Sequence, residues 1–259
     1  MTKGILIFAI NSTFDYLSAA EFAAKQAKKY LHLPVTLVTN APVTSTVFDT
    51  VITITDDSST TRNVITSTGT STTQWFNESR IRAYDLSPYD QTLLIDADFF
   101  MFNNSLAPIF DTDSEIACYN EINDVTSTYP SQIRLNEISI PMQWATVLYF
   151  KKCPLSKAVF DFMQLIKSEW KYYSILYHFR NHNFRNDFAL SIALQVLTGY
   201  STSNFNRLPG KLHSIFSDVD VISVNDNTEV VYAWNQQVNK ITGTNIHCMN
   251  KTAMEKFYA

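Results

Sequence analysis

Three pairs of aspartates in this 259-residue chain are separated by a single residue: Asp96/Asp98, Asp111/Asp113 and Asp218/Asp220. Spacing alone does not tell them apart, but context does. Only Asp96-Ala97-Asp98 follows directly on a buried-strand run, Thr92-Leu93-Leu94-Ile95. Residues i and i+2 of a strand point to one face, so the two carboxylates converge if the strand continues through them. Carboxylates packed at a strand end repel each other and lose hydration. A cation relieves both. Oxygen ligands select Mg²⁺ or Mn²⁺, and such sites complete their shell with phosphates and water. Helix caps or solvated loop acids are the competing account of the spacing.

The elements that must position this pair follow from periodicity. Residues 5–10 form a continuous apolar run, as a strand covered on both faces should. Residues 16–30 repeat apolar positions at Tyr16, Ala19, Ala20, Ala23, Ala24 and Ala27, a helical period. Pro34 ends that segment, and 35–38 is a second strand. This β-α-β unit predicts parallel strands with a right-handed crossover. Ligands of open α/β sheets sit beyond the carboxyl ends of strands. Ala9, Ile10, Asn11 and Ser12, with Thr39 and Asn40, are therefore expected at a ligand edge.

Further along, 51–54 reads as a third strand. Residues 58–73, rich in Ser and Thr, read as a surface loop or a lid. Residues 75–86 read as a helix, 92–95 as the central strand, and 116–119 and 145–150 as further strands. Leu155, Ala158, Val159, Phe162, Leu165, Ile166 and Trp170 mark an amphipathic helix, and 188–197 another. Residues 230–233 and 244–247 are candidate late strands. No repeat or linker interrupts the chain, so one α/β domain is expected.

Hydrophobic residues at 46% supply a core and exclude global disorder. A net charge of −4 gives no whole-chain signal for nucleic acid, although phosphate contacts need only a local patch. The three cysteines have no Cys-x-x-Cys spacing and fit free thiols in a reducing, cytoplasmic compartment. The first apolar run is too short to span a membrane and reads as a core strand, not a signal peptide. No later run reaches that length.

A β-α-β start, a basic residue on a helix, then a strand ending in Asp-x-Asp resembles the GT-A glycosyltransferases, and most of all the glycogenin-like group, family 8. The resemblance is carried by Leu86-Ser87-Pro88-Tyr89-Asp90-Gln91-Thr92-Leu93-Leu94-Ile95-Asp96-Ala97-Asp98 and by Asn104-Ser105-Leu106-Ala107-Pro108-Ile109-Phe110. Where that group has a Lys sixteen residues before the motif, this chain has Arg80. Near the end, Ile246-His247-Cys248-Met249-Asn250-Lys251 resembles the family's His and Lys, with Met249-Asn250 in place of its glycine. Stretches such as 87–96 and 184–188 are similar to glycosyltransferases of T4-like phages.

The resemblance implies a GT-A fold: a Rossmann-like, mixed, mainly parallel sheet flanked by helices, with a nucleotide-binding half at about 1–112 and an acceptor half at about 113–259. It implies a UDP-sugar donor, with uridine over Ala9, Ile10, Asn11, Thr39 and Asn40. It implies a Mn²⁺ (or Mg²⁺) site from Asp96, Asp98 and His247, with Ala97 between the acids and Asp96 shared with the donor. Arg80 and Lys251 are to neutralise the diphosphate. The sugar is expected near Gln143-Trp144-Ala145-Thr146 and Asn186-Asp187, with Gln143 and Asp187 beside the reacting centre and retention at the anomeric carbon. Read alone, His247 is a surface or core histidine and Asp187 an N-cap or first-turn helix acid.

Residues 167–185 interleave Lys167, Lys171, His178, Arg180, His182 and Arg185 with Tyr172, Tyr173, Tyr177 and Phe184. Such interleaving suits DNA backbone contact and base stacking; together with the resemblance to phage glycosyltransferases, it implies a hydroxymethylated base in phage DNA as an acceptor candidate, reached by base flipping. A helix end with core aromatics accounts for the same pattern. Two rivals stand beside the transferase. A sugar nucleotidyltransferase would carry a Gly-rich first turn, which Asn11-Ser12-Thr13 is not. The other is a degenerate sugar-binding or virion-associated module.

Overall fold

A computed structural model describes the chain except residues 12, 13, 56–59, 67, 68, 76, 137, 180–182, 201–205, 217, 226, 227 and 259; for 60–66, 69–75, 77 and 78 it describes the backbone alone. Strand β1 (Lys3–Ala9) leads into helix α1 (Tyr16–Leu31), β2 (Val35–Thr39) and β3 (Thr50–Thr53). Strands β4 (Thr60–Thr66) and β5 (Gly69–Trp75) follow. A 3-10 helix (Asn77–Arg82) and the one-turn helix α2 (Ala83–Leu86) precede β6 (Gln91–Asp96) and the two-residue β7 (Phe99–Phe100). Next come β8 (Ile116–Tyr119), β9 (Ile122–Asp124), β10 (Trp144–Lys151), α3 (Pro154–Ser168), α4 (Trp170–Leu176) and α5 (Asn186–Leu197). The remainder is β11 (Asn206–Arg207), β12 (Leu212–Ile215), β13 (Asp220–Asn225), β14 (Glu229–Trp234), β15 (Gln237–Thr242), β16 (Ile246–Cys248) and the short α6 (Lys251–Met254).

The main sheet has seven strands in the order β11-β8-β10-β6-β1-β2-β3. The pairs among β6, β1, β2 and β3 are parallel, and β10 runs antiparallel to both its neighbours. The sheet is thus mixed and mainly parallel, as expected. Side chains alternate across it. Ile5, Ile7 and Ala9 of β1 pack with the alanine face of α1, while Leu6 and Phe8 pack in the opposite layer with residues of α3 and α5. Asp15 starts α1 by accepting hydrogen bonds from the Leu17 and Ser18 amides, and His32 ends it in the left-handed region. At Gly4 the Tyr89 ring lies so close that an added Cβ would meet it at 2.3 Å.

A second sheet, β7-β16-β12-β9, abuts the first, and β13-β14-β15 form a three-stranded antiparallel meander. The stretch expected to be a loop or lid is instead an antiparallel hairpin, with Thr60 opposite Trp75 and Thr66 opposite Gly69. Its β-branched residues favour extended backbone; residues 58, 59, 67 and 68 of that stretch lie outside the described set. Trp75 belongs to β5, so the expected 75–86 helix is shorter and mostly 3-10. Among the described residues no helix is long and apolar enough to cross a membrane.

Candidate active site

The parallel register aligns the strand ends. Phe8 stands opposite Asp96 and Ala9 opposite Thr39. Asp96, Ile10, Asn11 and Asn40 therefore share one edge of the sheet. There the Asn11 amide donates to Asn40 Oδ1 at 2.9 Å, and Asn40 Nδ2 donates to the Asn11 carbonyl at 3.3 Å. Asn11 Oδ1 accepts from the Leu17 amide at 3.0 Å, tying this turn to α1. Ala9, Ile10 and Thr39 are buried below, while Ser12 lies outside the described residues.

Asp96 and Asp98 do converge, but not by strand alternation. Strand β6 ends at Asp96, and Ala97-Asp98 is a turn. The chain then changes sheets. Phe99 and Phe100 pair antiparallel with His247 and Ile246 of β16, and the Asp98 carbonyl accepts from the Cys248 amide. Asp96 is thus fixed by the main sheet and Asp98 by the second. His247 is brought in by the same short pairing that fixes Asp98. One ligand atom each from Asp96, Asp98 and His247 lies within 4.8 Å of the others.

This donor set fits a divalent ion. Ligand atoms on Mg²⁺ at about 2.1 Å are separated by about 3 to 4.2 Å, so the three need only a small contraction. Two carboxylates and an imidazole suit Mn²⁺ as well. His247 is buried, its Nε2 is 3.5 Å from Asp98 Oδ1, and its Nδ1 has no hydrogen-bond partner among the described residues. Buried polar atoms are seldom left unpaired, and coordination would employ one ring nitrogen.

Cations surround the acids. Lys251 donates its ammonium to Asp98 Oδ2 and stands 5.3 Å from the Tyr16 ring centroid. Burial pushes the Asp98 carboxyl up, but Lys251 and His247 outweigh it and hold the group well below the usual carboxylate range. Arg80, 3% exposed, contacts Asp96 and donates to the carbonyls of Ala145 at 2.5 Å and Thr146 at 3.2 Å. Burial lowers its pKa to about 10 against the opposing charges of Asp187 and Asp98, so the guanidinium stays charged at neutral pH. The expectation was a guanidinium turned to phosphate; the structure turns it to Asp96 and β10.

Asp187, in the first turn of α5, accepts from the Ala145 amide at 2.9 Å and pairs with Arg185 at 2.7 Å. Burial raises its carboxyl, and Arg185, the Ala145 amide and His247 together bring it below the ordinary value. Ala145 is thus held on both sides, its amide by Asp187 and its carbonyl by Arg80. Gln143 departs from expectation. It is 1% exposed, its Oε1 accepts from the Cys118 thiol and its backbone N–H donates to Ser191 Oγ at 2.7 Å, so it presents no surface to a sugar.

The basic-aromatic stretch divides as well. Tyr177, Phe179 and Phe184 are buried, and Trp170 packs on Phe179, Phe184 and Phe188. Arg185 is engaged with Asp187 and lies over Phe188. Tyr172 and Lys171 remain exposed, while Arg180 and His182 lie outside the described residues. Two residues at the site were not anticipated, Tyr16 beside Lys251 and Arg185 as partner of Asp187. A charged residue two positions before a first-turn acid is the available signal for the second.

No family model matches this sequence, and no curated protein matches it. Solved structures do. The galactosyltransferase LgtC, crystallised with donor and acceptor sugar analogs, superposes with a TM-score of 0.50 at 13% identity, covering 79% of this chain and 72% of LgtC. The glycosyltransferase GlyE of Streptococcus pneumoniae TIGR4 gives 0.45 at 15% identity, covering 81% of this chain, which spans only 46% of GlyE. Mouse xyloside xylosyltransferase 1 gives 0.44 at 13% identity, over 77% of this chain and 83% of that one. The likeness to LgtC shows the fold. This chain has the GT-A architecture, a mixed, mainly parallel sheet flanked by helices.

Proposed function

We propose that this protein is a metal-dependent glycosyltransferase that moves a sugar from a UDP-sugar to an acceptor. One observation carries the reading: Asp96, Asp98 and His247 meet at the carboxyl edge of a GT-A sheet, where α/β folds bind ligands. Mn²⁺ or Mg²⁺ held by these three would offset charge developing on the departing diphosphate. The chain's own residues do the rest. Ala9, Ile10, Asn11, Thr39 and Asn40 floor the uridine position, and the Asn11–Asn40 pair keeps that floor rigid. Arg80 keeps Asp96 aimed. Lys251, on a flexible stem, exchanges Asp98 for a phosphate oxygen.

Asp187 orients the sugar, and Gln143 acts from beneath by holding the entry to β10. Residues 1–112 serve the nucleotide and 113–259 the acceptor, with retention at the anomeric carbon following the family pattern. Free Cys118, Cys153 and Cys248 accord with a cytoplasmic setting. A hydroxymethylated base in phage DNA stays an acceptor to test, supported by exposed Lys171 and Tyr172.

The test is hydrolysis of a panel of UDP-sugars with Mn²⁺ present or chelated. The reading expects Mn²⁺-dependent release of UDP from at least one donor, lost in Asp98→Ala. Absence of both binding and hydrolysis across the panel overturns it. Nucleoside mass spectrometry after incubation with hydroxymethylcytosine DNA decides the DNA acceptor by gain or lack of a hexose or pentose mass.

A further inference from the structure

Among the described residues, two grooves whose linings include none of Asp96, Asp98 and His247 differ in character. One, about 490 Å³, is lined by Pro108, Asp113, Arg207 and neighbours, with no aromatic side chain. The other, about 530 Å³, lies where Arg134 and residues 138–141 meet the end of α4 and the end of α5. That volume falls in the range of small-molecule sites. Ile138, Leu176 and Tyr200 line it, and all three are large apolar side chains left exposed, Ile138 at 81% and Tyr200 at 60%.

Polar groups are set among them. The Tyr177 and Tyr200 hydroxyls are 3.1 Å apart. Gln195 also lines the groove, and its buried Nε2 has no hydrogen-bond partner among the described residues. The walls are fastened. Asn136 Nδ2 donates to the carbonyls of Tyr177 at 2.5 Å and His178 at 3.1 Å, joining loop to helix end. Two lining residues other than glycine hold positive φ, His178 at 55° and Tyr200 at 61°. Backbone held in that sparsely populated region clusters at ligand sites.

We propose that this groove is a carbohydrate subsite that seats part of an acceptor glycan, a proposal that rests on the glycosyltransferase reading. A pyranose ring presents an apolar C–H face edged by hydroxyls. Tyr200, Leu176 and Ile138 match the face, and the tyrosine hydroxyls and the Gln195 amide match the edge. The mixture disfavours a purely apolar partner, which would leave those polar groups unpaired at added cost. The groove and the reaction site are the two ends of one helix. Asp187 and Gln195 are separated by about 12 Å along α5, a span that suits a short oligosaccharide reaching from the transfer point.

The experiment is saturation-transfer NMR on the full chain with a panel of neutral di- to tetrasaccharides, in wild type, Tyr200→Ala and Asp98→Asn. Tyr200 is exposed, and thermal unfolding verifies that its replacement folds. At least one glycan should bind wild type and Asp98→Asn alike, with excess UDP failing to displace it. Tyr200→Ala should weaken that binding at least tenfold. The proposal is overturned if no glycan binds, if Tyr200→Ala binds equally, or if Asp98→Asn or UDP abolishes binding. It is also overturned if wild type is a dimer by sedimentation and Tyr200→Ala a monomer. Glycan binding without any Mn²⁺-dependent hydrolysis of UDP-sugars would retain the groove and reject the transferase reading.

Discussion

Asp96/Asp98 and Asp218/Asp220 have the same spacing and opposite fates. Asp220 keeps 74% of its side chain in solvent, with Lys256 3.5 Å away, and Asp218 is exposed too. Asp111, of the third pair, is 78% exposed beside Lys3. Asp98 is buried, and Lys251 and His247 converge on it. The difference is one of location. Only the Asp96-Ala97-Asp98 turn leaves a central parallel strand and passes into a second sheet, so each acid is held by a different sheet. Exposed acids rotate freely and are screened, whereas acids held this way are organised before any ligand arrives.

The largest expected contrast is catalytic. Asp98→Ala should lower Mn²⁺-dependent UDP-sugar hydrolysis by about 100-fold or more, the scale of losing preorganised electrostatics. Asp220→Ala, measured in parallel, should stay within about twofold, because exposed acids contribute little. Equal effects would erase the distinction between the pairs.

Stability supplies the next contrast. Arg80→Met strands Asp96 and two β10 carbonyls, and should destabilise by about 3 kcal/mol in chemical denaturation. Lys3→Met breaks an exposed pair with Asp111 and should change stability by less than about 1 kcal/mol. A small effect of Arg80→Met would mean that the buried guanidinium does not organise β10.

A pH series sharpens the same point. The Asp187 carboxyl lies below its ordinary value of 3.8 in the folded protein. A lowered folded-state pKa contributes stability that is present above the unfolded pKa and lost as pH falls through the folded one. Wild type should therefore lose stability as pH falls below about 4, and Asp187→Asn should show a shallower loss over that window. Parallel acid profiles would remove Asp187 from the account. The smallest effect is expected at the nucleotide floor, where Asn40→Ala removes two hydrogen bonds to Asn11 and should cost about 1 kcal/mol, read as a modest fall in Tm.

The parallel half of the sheet was legible because buried strands read as apolar runs and the intervening helix as a 3.6-residue period. The Asp96 edge followed from that. Convergence of Asp98 with His247 was anticipated by resemblance, but its cause was not legible. It depends on the pairing of β7, two residues long, with β16 across some 150 positions, and periodicity needs longer windows. Arg80 illustrates a second limit. Its type and position are readable, yet its orientation depends on free carbonyls at Ala145 and Thr146 that only the folded β10 supplies. The 58–73 stretch reads as a loop because threonine serves loops and strands alike, and the number of β-branched residues, not any alternation, is the one strand signal it carries. The tight turn of the β14–β15 hairpin rests on Asn235 and Gln236 at φ 48° and 61°, a left-handed pair that glutamine does not advertise.

The central claim is that Asp96, Asp98 and His247 form one metal site. Titration of Mn²⁺ into the protein, followed by electron paramagnetic resonance of the free ion, tests it most directly. One site is expected in wild type and in Asp218→Asn/Asp220→Asn, with loss of that site in Asp98→Asn and at least tenfold weaker binding in His247→Ala. Equal Mn²⁺ affinity in wild type and Asp98→Asn, or no binding to wild type, would contradict it.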